Sequence, residues 1–113
     1  MEAIIALAER LGRAINESSQ AASLRAARKA LNAEPALSEL LKDYQAQADR
    51  VAQLERDQKA IEVDDKHKLD ELQTRLLASE VFKKFTAAQV EYVDLMRKVN
   101  EALRNRLAET EED

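Results

Sequence analysis

The stretch that decides the fold is residues 80–107, EVFKKFTAAQVEYVDLMRKVNEALRNRL. Apolar residues recur in it at steps of three and four, which is the spacing of one face of an α-helix. The first row comprises Val81, Phe85, Ala88, Tyr92, Leu95, Val99 and Ala102, and a second row beside it comprises Phe82, Val93, Met96, Leu103 and Leu107. Neither Gly nor Pro interrupts the pattern, which therefore predicts one helix of roughly 40 Å. Because a single partner helix covers only a narrow stripe, two adjacent rows need more than one neighbour.

The composition supports an all-α fold. Of the 113 residues, 45% are hydrophobic and 35% are charged, with a single Gly and a single Pro. Hairpins need Gly, Asn or Pro at their turns, so this composition argues against β-sheet. The chain has the length of one domain. Its apolar residues are mostly Ala and Leu, which predicts a thin core of the kind that helical proteins stabilise by forming oligomers.

The charges and the cysteine content exclude several classes of function. Four acidic residues at 109–113 account for the net charge of −4, and the chain up to Ala108 carries 18 residues of each sign. A neutral body exerts no long-range attraction on nucleic acid or membrane. Without cysteine there is no disulfide, thiolate metal site or thiol nucleophile. No apolar run approaches the ~20 residues of a membrane span, and acidic Glu2 argues against a signal peptide, so we expect a cytoplasmic protein.

The first half of the chain predicts two shorter helices. Residues 2–17 place Ile4, Leu7, Ala8, Leu11 and Ile15 on one face. Gly12 lies inside this pattern at a cost of about 1 kcal/mol relative to Ala, and we expect it to permit the close approach of another helix. Ser18 or Ser19 is expected to cap a second helix over residues 19–31.

The remaining helices are expected to complete a bundle. Pro35 predicts the start of a third helix that continues to about residue 61. A fourth is expected over about 66–78, capped by Asp64 or Asp65 and burying Leu69, Leu72, Leu76 and Leu77, and Ser79 is expected to cap the fifth. The simplest packing makes residues 35–61 and 80–107 a long antiparallel pair, with the shorter helices around it.

The sequence offers no catalytic, metal or cofactor site. Asp64, Asp65, His67, Asp70 and Glu71 have metal-ligand side chains, and some of them are three or four residues apart. A solvated helix start explains this cluster better, because acidic residues favour the positive end of the helix dipole. His67 is the only histidine, so one chain cannot form a histidine relay. With one Gly there is no phosphate loop or nucleophile elbow, and we expect a protein that is not an enzyme.

Two surfaces remain as candidates for binding. Arg25, Arg28 and Lys29 form a compact basic group that is either a solvated face or a contact for RNA or an acidic partner, although no aromatic residue is interleaved to stack on bases. The second apolar row of residues 80–107 belongs either to a thick monomeric bundle or to a surface for another subunit or partner. The second interpretation is favoured because the first two helices offer mostly Ala-sized contacts, and it selects Phe82, Tyr92, Val93, Met96 and Leu103.

The order of these motifs resembles the YlbF/YmcA (Com_YlbF) family of small bacterial proteins, which is related to YheA. The likeness covers about residues 3–105. It consists of Ile4-x-x-Leu7-Ala8-x-x-Leu11, the break at Ser18-Ser19, Ala27-x-x-x-Leu31-x-x-x-Pro35, Leu40-Leu41 followed by Tyr44, and Val81-x-x-x-Phe85-x-x-Ala88-x-x-x-Tyr92-x-x-Leu95-x-x-x-Val99. All of these are packing positions, so no functional residue is carried over.

The resemblance implies a single helical domain over residues 1–108, and the acidic residues that follow predict a frayed tail at 109–113. It also implies a non-enzymatic, regulatory protein that forms homodimers or larger oligomers, or complexes with related helical subunits. Family members act with partner proteins on RNA maturation by the endoribonuclease RNase Y and affect competence, sporulation and biofilm formation. Some family complexes hold iron–sulfur clusters through cysteines, and this chain has none, so that role is not implied here.

The leading interpretation is therefore an adaptor that acts through protein–protein contacts, without direct contact to nucleic acid and without a membrane anchor. Two alternatives stay open at the level of sequence. One is a helical module that contacts RNA through its basic group. The other is a chaperone-like protein that holds apolar segments near Leu54 and Ile61.

Overall fold

The computed structural model describes the backbone of residues 1–112 and the side chains of residues 1–109. It contains helices α1 (Glu2–Asn16), α2 (Ser19–Asn32), α3 (Pro35–Arg56), α4 (Val63–Leu77) and α5 (Glu80–Glu112). The described residues form no strand, and the prediction of an all-α helical bundle is confirmed. The predicted acidic tail at 109–113 falls mostly on side chains outside the described part. The chain forms two compact units, of which the first is Met1–Ala27 with the chain from Phe85 onward and the second is Arg28–Lys84.

The second unit is built on the pair α3 and α4, which pack extensively against each other. Its buried side chains are Leu31, Leu37, Gln47, Leu72 and Leu76, and Leu76 is the most completely enclosed at 1% exposure. Sequence reasoning had paired α3 with α5. The observed partner is α4, because α3 ends at Arg56 rather than near residue 61 and the short connection 57–62 returns the chain along α3.

A hydrogen-bonded turn ends α3 earlier than its apolar pattern predicted. The Lys59 N–H donates to the Leu54 carbonyl at 2.9 Å, and the Gln58 N–H donates to the Glu55 carbonyl at 3.1 Å. These bonds are the two of a Schellman motif. Gln58 accordingly adopts φ 57°, the left-handed region that Gly usually occupies. The sequence analysis missed this early end of α3 because the left-handed position is occupied by Gln58 and not by Gly.

The start of α4 also differs from its prediction. The helix begins at Val63 with Glu62 as N-cap, so Asp64 and Asp65 lie in the first turn and neither is the cap. The reason is that the Glu62 carbonyl already accepts the Lys66 N–H at 3.2 Å. At the other end of the helix, Leu77 was expected in the core but is 50% exposed.

The first unit has a smaller core than the second. Its buried side chains in the described part are Ala21, Leu24 and Ala88, and α1 contributes none. A Cβ added at Gly12 would meet nothing within 4 Å. The expectation that Gly12 permits a close helix approach is therefore wrong.

Two serines cap helices as the sequence predicted. The Ser18 Oγ accepts the Ala21 N–H at 3.1 Å and donates to the Ile15 carbonyl at 2.6 Å, which ties the start of α2 to the end of α1. The Ser79 Oγ accepts the Phe82 N–H at 3.1 Å. Each bond satisfies one of the N–H groups that a helix start leaves unpaired.

Replacing Ser18 with Ala is expected to lower the free energy of unfolding by about 1 kcal/mol, because the variant loses the cap of α2. Ser19→Ala is the matched control, since the Ser19 Oγ bonds only the exposed side chain of Gln20. Urea unfolding followed by circular dichroism measures both. Equal effects of the two substitutions would contradict the capping role of Ser18.

Replacing Gln58 with Gly is expected to raise the free energy of unfolding by up to about 1 kcal/mol, because Gly adopts the left-handed conformation without steric cost. The same substitution at the exposed mid-helix position Gln45 should lower it by about 1 kcal/mol. Urea unfolding measures both variants. A gain in stability for Gln58→Gly with a loss for Gln45→Gly would support the Schellman motif at Gln58, and a loss in both variants would refute it.

Candidate partner-binding surface

The two apolar rows of α5 differ in how far they are covered. In the first row Ala88 is buried and Tyr92, Leu95 and Val99 are half-buried. A set of residues beside it, which we call the outer row, consists of Val90, Val93, Met96, Leu103 and Leu107. Met96 is half-buried, and the other four are between 50% and 71% exposed. Apolar side chains therefore line the side of α5 that its own chain leaves open.

The structure distributes the predicted interface residues unequally. Tyr92, Val93 and Met96 line one shallow groove along α5, and Leu103 continues the same side of the helix. Phe82 is half-buried and belongs to the second unit. Val90, which is 63% exposed, was missed by the sequence analysis, although it lies three residues before Val93 of the second row.

Charged side chains border the outer row. Arg97 donates to Asp94 Oδ1 at 2.7 Å and to Glu101 Oε1 at 2.6 Å. The hydrogen bond from Arg97, followed by that from Lys98, lowers the pKa of Asp94. The hydrogen bond to Asp94, together with the nearby charge of Glu101, raises the pKa of Arg97. Arg104 lines the same groove and makes no ion pair with the described side chains. This edge of α5 thus carries two permanent cations, one paired and one open to a partner.

Helix α1 presents a second uncovered apolar surface. Ile4 is 69%, Leu7 61%, Ile5 52% and Leu11 37% exposed, and no residue of the helix is buried. Sequence analysis placed Ile4, Leu7 and Leu11 on a common face, but it did not include Ile5 and did not predict that the face would remain uncovered. Because α1 carries two acidic and two basic residues, its polar side is electrically neutral.

The predicted basic group is not a set of three equivalent side chains. Arg25 Nη1 donates to the Asn16 carbonyl at 3.1 Å and to Asn16 Oδ1 at 2.8 Å. It thereby satisfies a backbone acceptor at the last residue of α1. Arg28 and Lys29 are exposed and belong to the second unit.

The acidic cluster at the start of α4 supplies an anchor for α3. Arg50 Nε lies 3.0 Å from Asp65 Oδ1, and the buried Gln47 donates its Nε2 to the Asp65 carbonyl at 3.0 Å. The hydrogen bond from Arg50 lowers the pKa of Asp65; partial desolvation opposes it, and Gln47 and the backbone of Glu62 add to the lowering. No three His, Asp or Glu side chains of the described residues are arranged to hold a metal ion. The sequence missed Gln47, although it lies three residues after Tyr44 on the packed face of α3.

Comparison with known proteins identifies one family. The family model described as "Control of competence regulator ComK, YlbF/YmcA" matches residues 4–108, which include parts of all five helices. No curated protein matches the chain. None of the helices in the described part combines the length and hydropathy that a bilayer span requires.

Replacing Asp65 with Asn is expected to lower the free energy of unfolding at pH 7. This loss should become smaller as the pH falls. The folded-state pKa of Asp65 lies below the ordinary value of 3.8. Its contribution is therefore fully present above the unfolded-state pKa and is lost as the pH falls through the lower folded-state pKa. Urea unfolding at pH 7 and pH 3 measures the difference between wild type and variant.

The matched control is Asp70→Asn, which removes an exposed carboxylate from the same helix. If the ionised carboxylate of Asp65 stabilises the fold, the difference in free energy of unfolding between wild type and Asp65→Asn must be smaller at pH 3 than at pH 7. An Asp65→Asn variant equally destabilised at both pH values would disprove it.

Proposed function

Because the chain belongs to the YlbF/YmcA family of proteins that control the competence regulator ComK, we propose that it is a non-enzymatic regulatory adaptor. It acts in the cytoplasm through protein–protein contacts and self-associates into a dimer or a larger oligomer, alone or with related helical subunits. Its regulatory output is RNase Y-dependent RNA processing and the developmental programmes that depend on it. The family assignment made from the packing motifs is confirmed.

The observation that carries the proposal is the placement of exposed apolar side chains. Apart from Val63 and Leu77, every exposed large apolar side chain in the described part lies on α1 or on the outer row of α5, or is Met1 at the start of the chain. Scattered exposed apolar residues are ordinary, whereas a contiguous set marks an interaction surface. Covering a half-exposed Val or Leu side chain contributes about 1 kcal/mol.

The described residues support a binding role more than a chemical one. His67 is exposed and has no carboxylate or hydroxyl partner within hydrogen-bonding distance among them. The hollow between α3 and α4 is lined by Asp43, Arg50, Lys68, Glu71 and Arg75 among others, so its charges are mixed. General acid–base catalysis needs a proton-transferring group with a shifted pKa placed against a substrate site. Asp65 has a lowered pKa, and its carboxylate and backbone carbonyl are already bound by Arg50 and Gln47.

Direct contact with RNA has less support. The Arg25 guanidinium is bound to Asn16, so phosphate would have to displace that contact. Two exposed cations, Arg28 and Lys29, provide a small fraction of the phosphate contacts that nucleic-acid-binding proteins make.

We expect the wild-type protein to sediment as a dimer or a larger oligomer at micromolar concentration, and the double variant Val93→Glu, Met96→Glu to sediment as a monomer. Two carboxylates buried in an apolar interface would cost several kcal/mol without a partner charge. Sedimentation velocity measures the state of assembly, and circular dichroism verifies that the variant keeps its helices.

The matched control is Ala87→Glu, Asn105→Glu, which adds two carboxylates at exposed positions of α5 away from the outer row. It should assemble like wild type. A wild-type protein that is monomeric at micromolar concentration would refute self-association, and dissociation by both double variants would show that the outer row is not the interface.

A further inference from the structure

We draw no further inference here: the strongest candidate, the exposed apolar surface formed by the outer row of α5, carries none because nothing in the structure shows what covers it.

Discussion

The constraint on which the rest of the structure depends is that the chain has more apolar helix surface than it can cover. The second unit encloses Leu31, Leu37, Leu72 and Leu76, which are four of the seven buried apolar side chains in the described part. The first unit buries two alanines and Leu24. Burial of apolar surface is the main favourable term in folding. Covering by a partner would therefore stabilise the first unit more than the second.

Local structure was predictable from the sequence wherever one side chain determines it. Ser18 and Ser79 cap helices because a hydroxyl before a helix accepts its unpaired N–H groups. Pro35 starts α3 because proline loses no hydrogen bond in a first turn. The end of α3 was not predictable in this way, since Gln58 adopts a left-handed conformation that its residue type disfavours. Backbone hydrogen bonds fix that turn, and they leave no signature in the residue types.

Packing between helices was less predictable, because hydrophobic periodicity identifies the apolar face and not its neighbour. The early end of α3 is what makes α4 its partner. Once α4 returns along α3, the polar side chain of Gln47 becomes buried and bonds the backbone of Asp65. A buried amide with no partner would cost about 1–3 kcal/mol. The cluster of acidic residues that looked like a solvated helix start thus contains one residue, Asp65, that fastens the two helices together.

Because periodicity identifies an apolar face but not its neighbour, the sequence could predict only part of the candidate binding surface. The sequence indicated that α5 has two apolar rows, and a row looks the same whether it meets its own chain or another one. Solvent exposure distinguishes the two cases, because Ala88 in the first row is buried while Val93 and Leu103 in the second row are at least half exposed. Exposure also distinguishes the apolar face of α1, which the sequence identified without indicating whether it is covered. A helix with a wide apolar face, no buried residue and balanced charges gains little by remaining in water. The stability of α1 in the folded protein therefore depends on how far that face is covered.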